Sequence, residues 1–310
     1  MAYLEYLNKT YPVRNTAEEK AAFRDWAVKE AEGLGYKAGT EEKEKHCNVV
    51  LGDPERASVL FTAHYDTPRR SLTPNLMLPT NKALFWAYNI GIGVLLAVIA
   101  LLGSRLISHL SGHPISERTG WMIWYISYIV LFVALFKLVL FGPKNKFNYN
   151  DNTSGTAALI ALAERLKGSD KAAFILFDDE EKGKKGSKAY VKAHPEINEK
   201  ALVVNLDCVA NGEHFIICAS KDAMAREEYA AFSESWQSRD GFETHLYDAR
   251  KIAMNSDQKS FKNGIGVCAC HRYKAVGYCT PRIHTRYDTV AREGNIAYLA
   301  DTLEGFVRKL

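Results

Sequence analysis

Two long apolar segments interrupt a chain whose other parts alternate between apolar and polar residues. Residues 83–104 contain no charged side chain, and residues 119–136 contain none before the run KLVLF extends the segment to residue 141. A membrane-spanning helix needs about 20 mainly apolar residues. Trp86 and Trp121 lie near the segment ends, where aromatic belts form. The pattern predicts two membrane helices, at about 83–104 and 119–141, in an inserted hairpin that occupies residues 68–147.

The charges around the two segments predict an orientation. The loop between them carries Arg105 and Arg118 as its fixed positive charges, whereas the outer flanks carry Arg69, Arg70, Lys82, Lys137, Lys144 and Lys146. The positive-inside rule places both flanks, and with them the rest of the chain, on the cytoplasmic side of a membrane. A buried helical hairpin, a lid or a dimerisation arm of a soluble protein would give the same apolar pattern.

Outside the hairpin, predicted helices alternate with predicted strands. The apolar periodicity predicts helices at 16–33, 154–166, 187–193, 223–237 and 295–309, and strands at 48–51, 58–63, 172–177, 201–206, 215–218, 243–246 and 266–270. Thr16 and Glu19 form a capping-box pattern at the first of these helices. The alternation predicts an α/β fold, in which helices sandwich a mostly parallel mixed sheet. Residues 1–67 and 148–310 would form a single discontinuous domain around the hairpin.

Composition narrows the class of protein. The 310 residues are 47% hydrophobic, which suffices for a sizeable core. The 40 basic and 36 acidic residues nearly balance, so we expect no nucleic-acid partner. The six cysteines form no CxxC pair, which speaks against a thiolate zinc site. The N-terminal residues contain no apolar core of signal-peptide length, so we expect reduced thiols and a domain that is not secreted.

Polar side chains follow three of the predicted strands directly. His64 and Asp66 follow one strand, and Asp207 follows another. A third strand ends at the phenylalanine of FDDEEKGKKGS, so the four acids of this stretch follow it. Ligands of such sheets bind beyond the carboxyl ends of the strands. Each feature alone has an ordinary explanation, such as a solvated charge run or a helix cap. Three strands that bring histidine or carboxylates to one edge indicate a site.

The candidate site residues are two histidines and five carboxylates. They are His64, Asp66, Asp151, Glu180, Glu181, Asp207 and His284. Imidazole and carboxylate ligands suit zinc, and two ions about 3.5–4 Å apart can share a bridging carboxylate. Adjacent glutamates can divide the chemistry, because one can bind metal while the other accepts a proton from water.

Five blocks of the chain resemble a known family. FTAHYDT, NDNTSGTAALIALAE, FDDEEKGKKGS, VVNLDC and RIHTRYDT are similar, in the same order, to the metal-site blocks of the M28 zinc peptidases, which are co-catalytic dizinc aminopeptidases and their relatives. NSDQKSFKNGIGV, at 255–267, resembles a further segment of that family. The resemblance covers about residues 14–67 and 148–310, and five blocks in order are far more specific than one motif.

The resemblance implies a zinc exopeptidase-like fold and two Zn²⁺ ions per chain. His64 and Asp207 would hold one ion, Glu181 and His284 would hold the other, and Asp151 would bridge them.

It also implies roles in catalysis. Glu180 would be the general base, and Asp66 would orient the imidazole of His64. Asp288 would act on His284 in the same way. The chain departs from the family pattern at Gln258, which replaces a histidine, and at Lys184, which replaces an apolar residue. The hairpin also separates His64 from Asp151, so it must leave and re-enter the domain beside the site.

The expected function is that of a membrane-anchored dizinc aminopeptidase. It would remove N-terminal residues from peptides through a metal-bridging hydroxide and a glutamate base. A glutaminyl cyclase with a single zinc, a carboxypeptidase, an amidase, and a non-catalytic membrane receptor or scaffold remain alternatives. The expected partners are a peptide substrate and a membrane, and homo-oligomerisation is left open.

Overall fold

A computed structural model describes residues 3–73, 75–140 and 142–310. The predicted end of the second apolar segment, residue 141, lies outside the described residues. The helices are α1 (Tyr3–Thr10), α2 (Ala17–Gly33), α3 (Lys82–Leu110), α4 (Arg118–Leu140), α5 (Gly155–Arg165), α6 (Lys185–Ala193), α7 (Pro195–Lys200), α8 (Lys221–Met224), α9 (Glu228–Ser235) and α10 (Glu293–Lys309). The strands are β1 (Ala38–Lys43), β2 (His46–Leu51), β3 (Val59–His64), β4 (Ala172–Phe177), β5 (Leu202–Leu206), β6 (His214–Ala219), β7 (Glu243–Asp248), β8 (Gly264–Tyr273) and β9 (Gly277–Cys279). A π-helical turn covers Tyr149–Ser154, and a 3₁₀ turn covers Asp257–Ser260.

The strands form one mixed sheet with a parallel centre. Its order is β1-β2-β4-β3-β5-β8-β6-β7, and β9 pairs with β8. Strands β4, β3, β5 and β8 run parallel to one another, while β2 and β6 join this centre in the antiparallel direction. The carboxyl ends of β3, β4 and β5 therefore meet at one edge of the sheet, as the sequence predicted.

Helices cover both faces of the sheet, so the predicted sandwich is confirmed. Phe174 and Leu176 of β4 face a layer formed by α1, α2, α5, α9 and α10, whereas Ile175 and Phe177 face α6 and α7. Because β4 is buried on both faces, its sequence AAFILF is a continuous apolar run rather than an alternating pattern.

The predicted elements agree with the structure except in a few places. Thr16 caps α2 as expected, since its side chain accepts from the N–H of Glu19 and the Glu19 carboxylate accepts from the N–H of Thr16. The prediction of one helix over 223–237 is wrong, because the chain there forms α8 and α9, with Arg226 between them paired to Glu228 at 2.9 Å. Strand β1 escaped prediction because AGTEEK is a polar edge strand without a buried face.

The inserted hairpin is formed by α3 and α4, which pack against each other. A Cβ at Gly103 would lie 2.9 Å from Cδ1 of Leu131, so this glycine permits the close approach of the two helices. The outer faces are apolar and exposed, with Trp86 60% and Leu102 61% exposed. Both helices are long and apolar enough to cross a membrane by length and composition. In the most apolar stretch of each helix, only 17% (α3) and 6% (α4) is buried. This excludes a hairpin that is buried within the described part of the chain.

The two ends of the hairpin meet at the edge of the domain. Arg69 pairs with Lys144 in an antiparallel bridge, and the N–H of Arg70 donates to the carbonyl of Pro143 at 2.9 Å. Ser71 then donates its N–H to the carbonyl of His284 at 2.7 Å. The hairpin therefore enters and leaves beside the loop that carries a candidate site residue.

We expect the full chain to remain in the membrane fraction after a carbonate wash, because α3 and α4 expose many large apolar side chains and soluble monomers rarely expose contiguous apolar patches of this kind. A variant in which a short polar linker replaces residues 82–140 is the matched control, and it should appear in the supernatant. Immunoblots of both fractions provide the measurement. Release of the full chain without detergent would show that the hairpin is not membrane-inserted.

Candidate functional site

The parallel centre of the sheet brings the candidate residues together at its carboxyl edge. His64 ends β3, Glu180 and Glu181 follow β4, and Asp207 follows β5. Asp151 comes from the π-helical turn before α5. His284 comes from the loop between β9 and α10. All seven predicted site residues therefore lie in one cluster.

Asp151 lies between two imidazoles. Its Oδ1 is 3.5 Å from Nε2 of His64, and its Oδ2 is 3.0 Å from Nε2 of His284. Asp207 lies on the His64 side, with Oδ1 3.7 Å from the same Nε2, and Glu181 lies on the His284 side, with Oε2 3.4 Å from that Nε2. The cluster thus contains two ligand sets with one shared carboxylate, and each set could hold a metal ion.

Asp66 fixes the strand-end segments relative to one another. Its two carboxylate oxygens accept the backbone N–H groups of Glu180 at 3.0 Å and of Glu181 at 3.2 Å. Oδ1 also lies 3.4 Å from Nδ1 of His64, which is 3.1 Å from the carbonyl of Asp66. The Nδ1 of His64 therefore faces its own loop, and Nε2 is left to face Asp151 and Asp207.

The buried side chain of Asn152 joins the Asp151 turn to the end of β5. Its Oδ1 accepts from the N–H of Gly155 at 3.0 Å and of Cys208 at 3.1 Å, and its amide donates to the carbonyl of Leu206 at 2.9 Å. A Cβ at Gly155 would lie 2.3 Å from that carbonyl oxygen, so only glycine allows this approach. The DN-x-SG pattern in the sequence therefore holds Asp151 next to Asp207.

Asp288 has a different role from the one expected. The resemblance implied that it orients His284, but no hydrogen bond joins these two side chains among the described residues. The carboxylate instead accepts the backbone N–H groups of Asn150 and Asp151, each at 3.0 Å. Asp288 therefore positions Asp151, the carboxylate shared by the two ligand sets, rather than the imidazole.

Two buried cations behind the site were missed from the sequence. Arg14 is fully buried; its guanidinium donates to the carbonyls of Tyr65 and Tyr11 and, at 3.1 Å, to Oγ1 of Thr153. Burial lowers the pKa of Arg14 to about 10, so the group stays charged at neutral pH. Lys20 pairs with Asp178 at 2.5 Å and with Asp179. Neither Arg14 nor Lys20 lies in a sequence pattern that predicts a buried, paired side chain, so both were missed.

The pairing of Lys20 with two aspartates changes the interpretation of the four consecutive acids at residues 178–181. Asp178 and Asp179 are buried, although the sequence analysis assigned no role to either residue. Lys182 and Lys20 hold the pKa of Asp179 well below its usual range, although burial opposes this shift. The two aspartates are therefore structural, while Glu180 and Glu181 turn into the cluster. The backbone of Asp179 is left-handed, with φ of 52°, directly before this change of direction.

Asp257 is a further carboxylate at the site that sequence reasoning missed. It is fully buried, and neither of its oxygens has a hydrogen-bonding partner among the described residues. Burial raises its pKa to about 7, and its charge acts on Glu180. The neighbouring Gln258, noted as a departure from the family pattern, is buried beside it.

The cluster holds more buried carboxyl groups than its own cations can balance if all of them ionise. Burial and the charge of Asp151 raise the pKa of Glu181 to about 8, and burial raises the pKa of Asp288 to about 8. Burial opposes charging of His284, but the carboxylates of Glu181 and Asp151 raise its pKa to about 9. Oδ1 of Asp207 is buried without a hydrogen-bonding partner among the described residues. Excess carboxylate and an unpaired oxygen facing imidazole nitrogens fit bound metal ions.

A cavity of about 580 Å³ opens beside His284. It is lined by Arg70, Ser71, Leu72, Pro281, Arg282, Thr285, Arg286, Tyr287 and Thr289. Its lining contains three arginines and no carboxylate, and the hydrogen bond from Ser71 to the carbonyl of His284 joins its wall to the cluster. The hairpin entrance and the His284 loop therefore build an electropositive space next to the candidate metal ligands.

Comparison with known proteins places this geometry in context. Residues 140–304 match the model of peptidase family M28, which is more than half of the chain. No curated protein sequence matches the chain.

Solved structures share the fold at low sequence identity. A Legionella pneumophila aminopeptidase, LapA, is 14% identical with a TM-score of 0.59, and the match covers 99% of this chain and 68% of LapA. A glutaminyl cyclase from Porphyromonas gingivalis is 15% identical with a TM-score of 0.62, and 99% and 96% of the two chains are covered. A Zn-dependent exopeptidase from Parabacteroides distasonis is 15% identical with a TM-score of 0.58, at the same coverage. At these identities the similarity concerns the fold.

We expect Arg14→Met to destabilise the domain by about 3 kcal/mol, because buried carbonyls and a buried hydroxyl lose a charged donor. Arg308→Met removes the same charge from an exposed position on α10 and serves as the control. Thermal unfolding in detergent, followed by tryptophan fluorescence, provides the measurement. Equal midpoints for the two variants would contradict a supporting role for Arg14.

Proposed function

Because the chain belongs to peptidase family M28, we propose that it is a zinc exopeptidase, specifically an aminopeptidase that acts on peptides. Family membership supports a metal-dependent, peptidase-like hydrolase, and the exact reaction is our proposal. The observation that carries it is the position of Asp151, whose two oxygens face the Nε2 atoms of His64 and His284. Such an arrangement suits two metal ions that share one carboxylate.

The proposed ligands divide into two sets around Asp151. His64 and Asp207 would hold one zinc ion, and Glu181 and His284 would hold the other. Bound zinc would supply a Lewis acid that polarises the scissile carbonyl and lowers the pKa of a water molecule. The chain itself orients the ligands, since Asp66 holds the His64 loop and Asp288 holds the Asp151 turn.

Glu180 is the proposed general base. Its backbone N–H is held by Asp66, and its side chain is half-buried at the cluster. Burial raises the pKa of Glu180 well above that of an exposed glutamate. A carboxylate with a raised pKa can accept a proton from water and deliver it to the leaving amine. Glu180 and Glu181 therefore act separately, one on protons and one as a ligand.

The arginine-lined cavity supports a preference for an acidic substrate group. Arg70 and Arg282 form no ion pair with a described residue, and Arg286 stacks on Tyr287 with 4.8 Å between guanidinium and ring centroid. A guanidinium binds a carboxylate through paired N–H donors. A peptide that reaches the cluster with an acidic side chain or a terminal carboxylate in this cavity would neutralise its charge.

The hairpin supports a membrane-anchored enzyme. We propose that α3 and α4 cross the membrane and that the peptidase domain, residues 1–67 and 148–310, faces the cytoplasm. The exposed apolar faces of the two helices support insertion, and the lysines and arginines at the outer flanks support this orientation. The cavity wall at 70–72 would then lie close to the membrane surface.

Glutaminyl cyclisation is the second candidate, because the Porphyromonas gingivalis cyclase shares the fold over 96% of its chain. The products distinguish the two reactions. An aminopeptidase releases the N-terminal residue from a peptide, whereas a cyclase releases ammonia from an N-terminal glutamine and leaves every residue in place. Mass spectrometry of a peptide-library digest by the zinc-loaded, full-length protein separates these outcomes and also detects cleavage at the carboxyl terminus.

We expect Glu180→Gln to lower kcat for aminoacyl substrates by about 10²–10⁴-fold with a small change in KM, because the amide cannot accept the proton. Glu44→Gln, an exposed change at a distant turn, is the control and should retain full activity. Steady-state kinetics on both variants provides the measurement. Undiminished turnover by Glu180→Gln would refute the proposed base, and inactivity of the parent on every peptide tested would favour a receptor or scaffold.

We expect Arg282→Gln to raise KM about tenfold for substrates with an acidic residue, which corresponds to about 1.4 kcal/mol of lost binding, and to leave neutral substrates unaffected. Arg308→Gln makes the same charge change outside the cavity. The measurement is KM for matched acidic and neutral peptides. A uniform change for both peptides would mean that the cavity does not read substrate charge.

A further inference from the structure

A second group of histidine and carboxylate side chains lies outside the catalytic cluster. His214 begins β6, and Glu243 and His245 lie on the neighbouring edge strand β7. His214 is in register with Glu243, and His245 is two residues further along the same strand. Because side chains two residues apart share one face of a strand, all three can meet above the sheet. The predicted strand 243–246 contained both β7 residues, but no local pattern marked either of them as a ligand.

The three ligand atoms form a nearly equilateral triangle. Nδ1 of His214 lies 3.2 Å from Nε2 of His245 and 3.4 Å from Oε2 of Glu243. Nε2 of His245 lies 3.6 Å from the same oxygen. Tetrahedral zinc with bonds of about 2.0–2.1 Å separates its ligand atoms by about 3.3–3.4 Å. A hydrogen bond between the imidazoles would explain one side of this triangle, whereas a shared metal ion explains all three.

Neighbouring side chains complete such a site. Oη of Tyr278 lies 3.2 Å from Nε2 of His245, so this hydroxyl borders the triangle. Oε1 of Glu213 lies 3.7 Å from Nε2 of His214, the nitrogen that faces away from the triangle. Imidazoles that bind metal usually present the other nitrogen to a carboxylate. The imidazole of His271 bonds to Glu213 at 2.9 Å and fixes this carboxylate.

We propose that His214, Glu243 and His245 bind a further metal ion, a divalent first-row ion such as zinc, apart from the catalytic cluster. Two imidazoles and one carboxylate suit such ions, while magnesium and calcium prefer oxygen ligands. The ion would join the edge strand β7 to β6 and, through Tyr278, to the β8–β9 hairpin. It would therefore tie the edge strand β7 to the rest of the sheet rather than take part in the reaction.

The test compares the zinc content of the full-length protein with that of His245→Gln, after removal of metal, dialysis against zinc and gel filtration in detergent. Mass spectrometry for zinc should show a loss of one ion per chain in the variant. The difference between the two proteins is informative whatever the catalytic cluster binds, so this result is independent of the proposed function. His194→Gln is the matched control, because its imidazole contacts a single carboxylate, that of Glu41 at 2.6 Å, and belongs to none of the candidate metal groups of the described residues.

A second variant tests the proposal in case His245→Gln fails to fold. Glu243→Gln changes a side chain that is 57% exposed, so the fold should persist. Zinc affinity should fall by more than the roughly 10–100-fold that loss of an outer-shell partner costs, because Glu243 is a direct ligand in the proposal. In the cobalt-loaded protein, both variants should lose part of the absorption of tetrahedral cobalt. Equal zinc content in the parent, His245→Gln and Glu243→Gln would overturn the proposal, as would an equal loss in His194→Gln.

Discussion

Buried carboxylates at the carboxyl edge of the sheet need hydrogen-bond donors or positive charges as partners. Asp66 and Asp288 are each matched by two backbone N–H groups, and Asp178 and Asp179 are matched by Lys20. Glu181, Asp151 and Asp207 have imidazoles nearby but too few donors. The need for a donor or a cation therefore holds the four matched aspartates in place. It leaves Glu181, Asp151 and Asp207 available to bind cations.

This division explains why adjacent residues of one acidic run behave differently. The backbone turns at Asp179, so that the two aspartates point back to the buried Lys20 while Glu180 and Glu181 point into the cluster. A Cβ at Gly186 would lie 2.2 Å from the carbonyl oxygen of Asp178, so this glycine lets α6 start close behind the turn. Chain geometry, rather than charge, thus brings the two glutamates into the candidate site.

Much of the site could be predicted because its residues follow strands in recognisable local patterns. His64, Glu181 and Asp207 lie at ends of parallel strands, and Asp151 stands in a turn whose Asn152 and Gly155 are needed for packing. Arg14, Lys20 and Asp257 could not be found in this way, because their roles come from partners more than 50 residues away. Asp288 was placed at the site but assigned to the wrong partner, since its register with Asn150 is a property of the folded loop.

The order and spacing of residues by themselves determined the α/β sandwich, the two apolar helices and the identity of the candidate ligands. These features depend on short-range periodicity and on which side chains follow each strand. Only the tertiary structure decided that Asp151 faces both imidazoles, that the hairpin ends beside His284, and that His214 meets His245 across two strands. Such contacts join distant parts of the chain, and their geometry is set by sheet register and by the packing of the core rather than by local sequence.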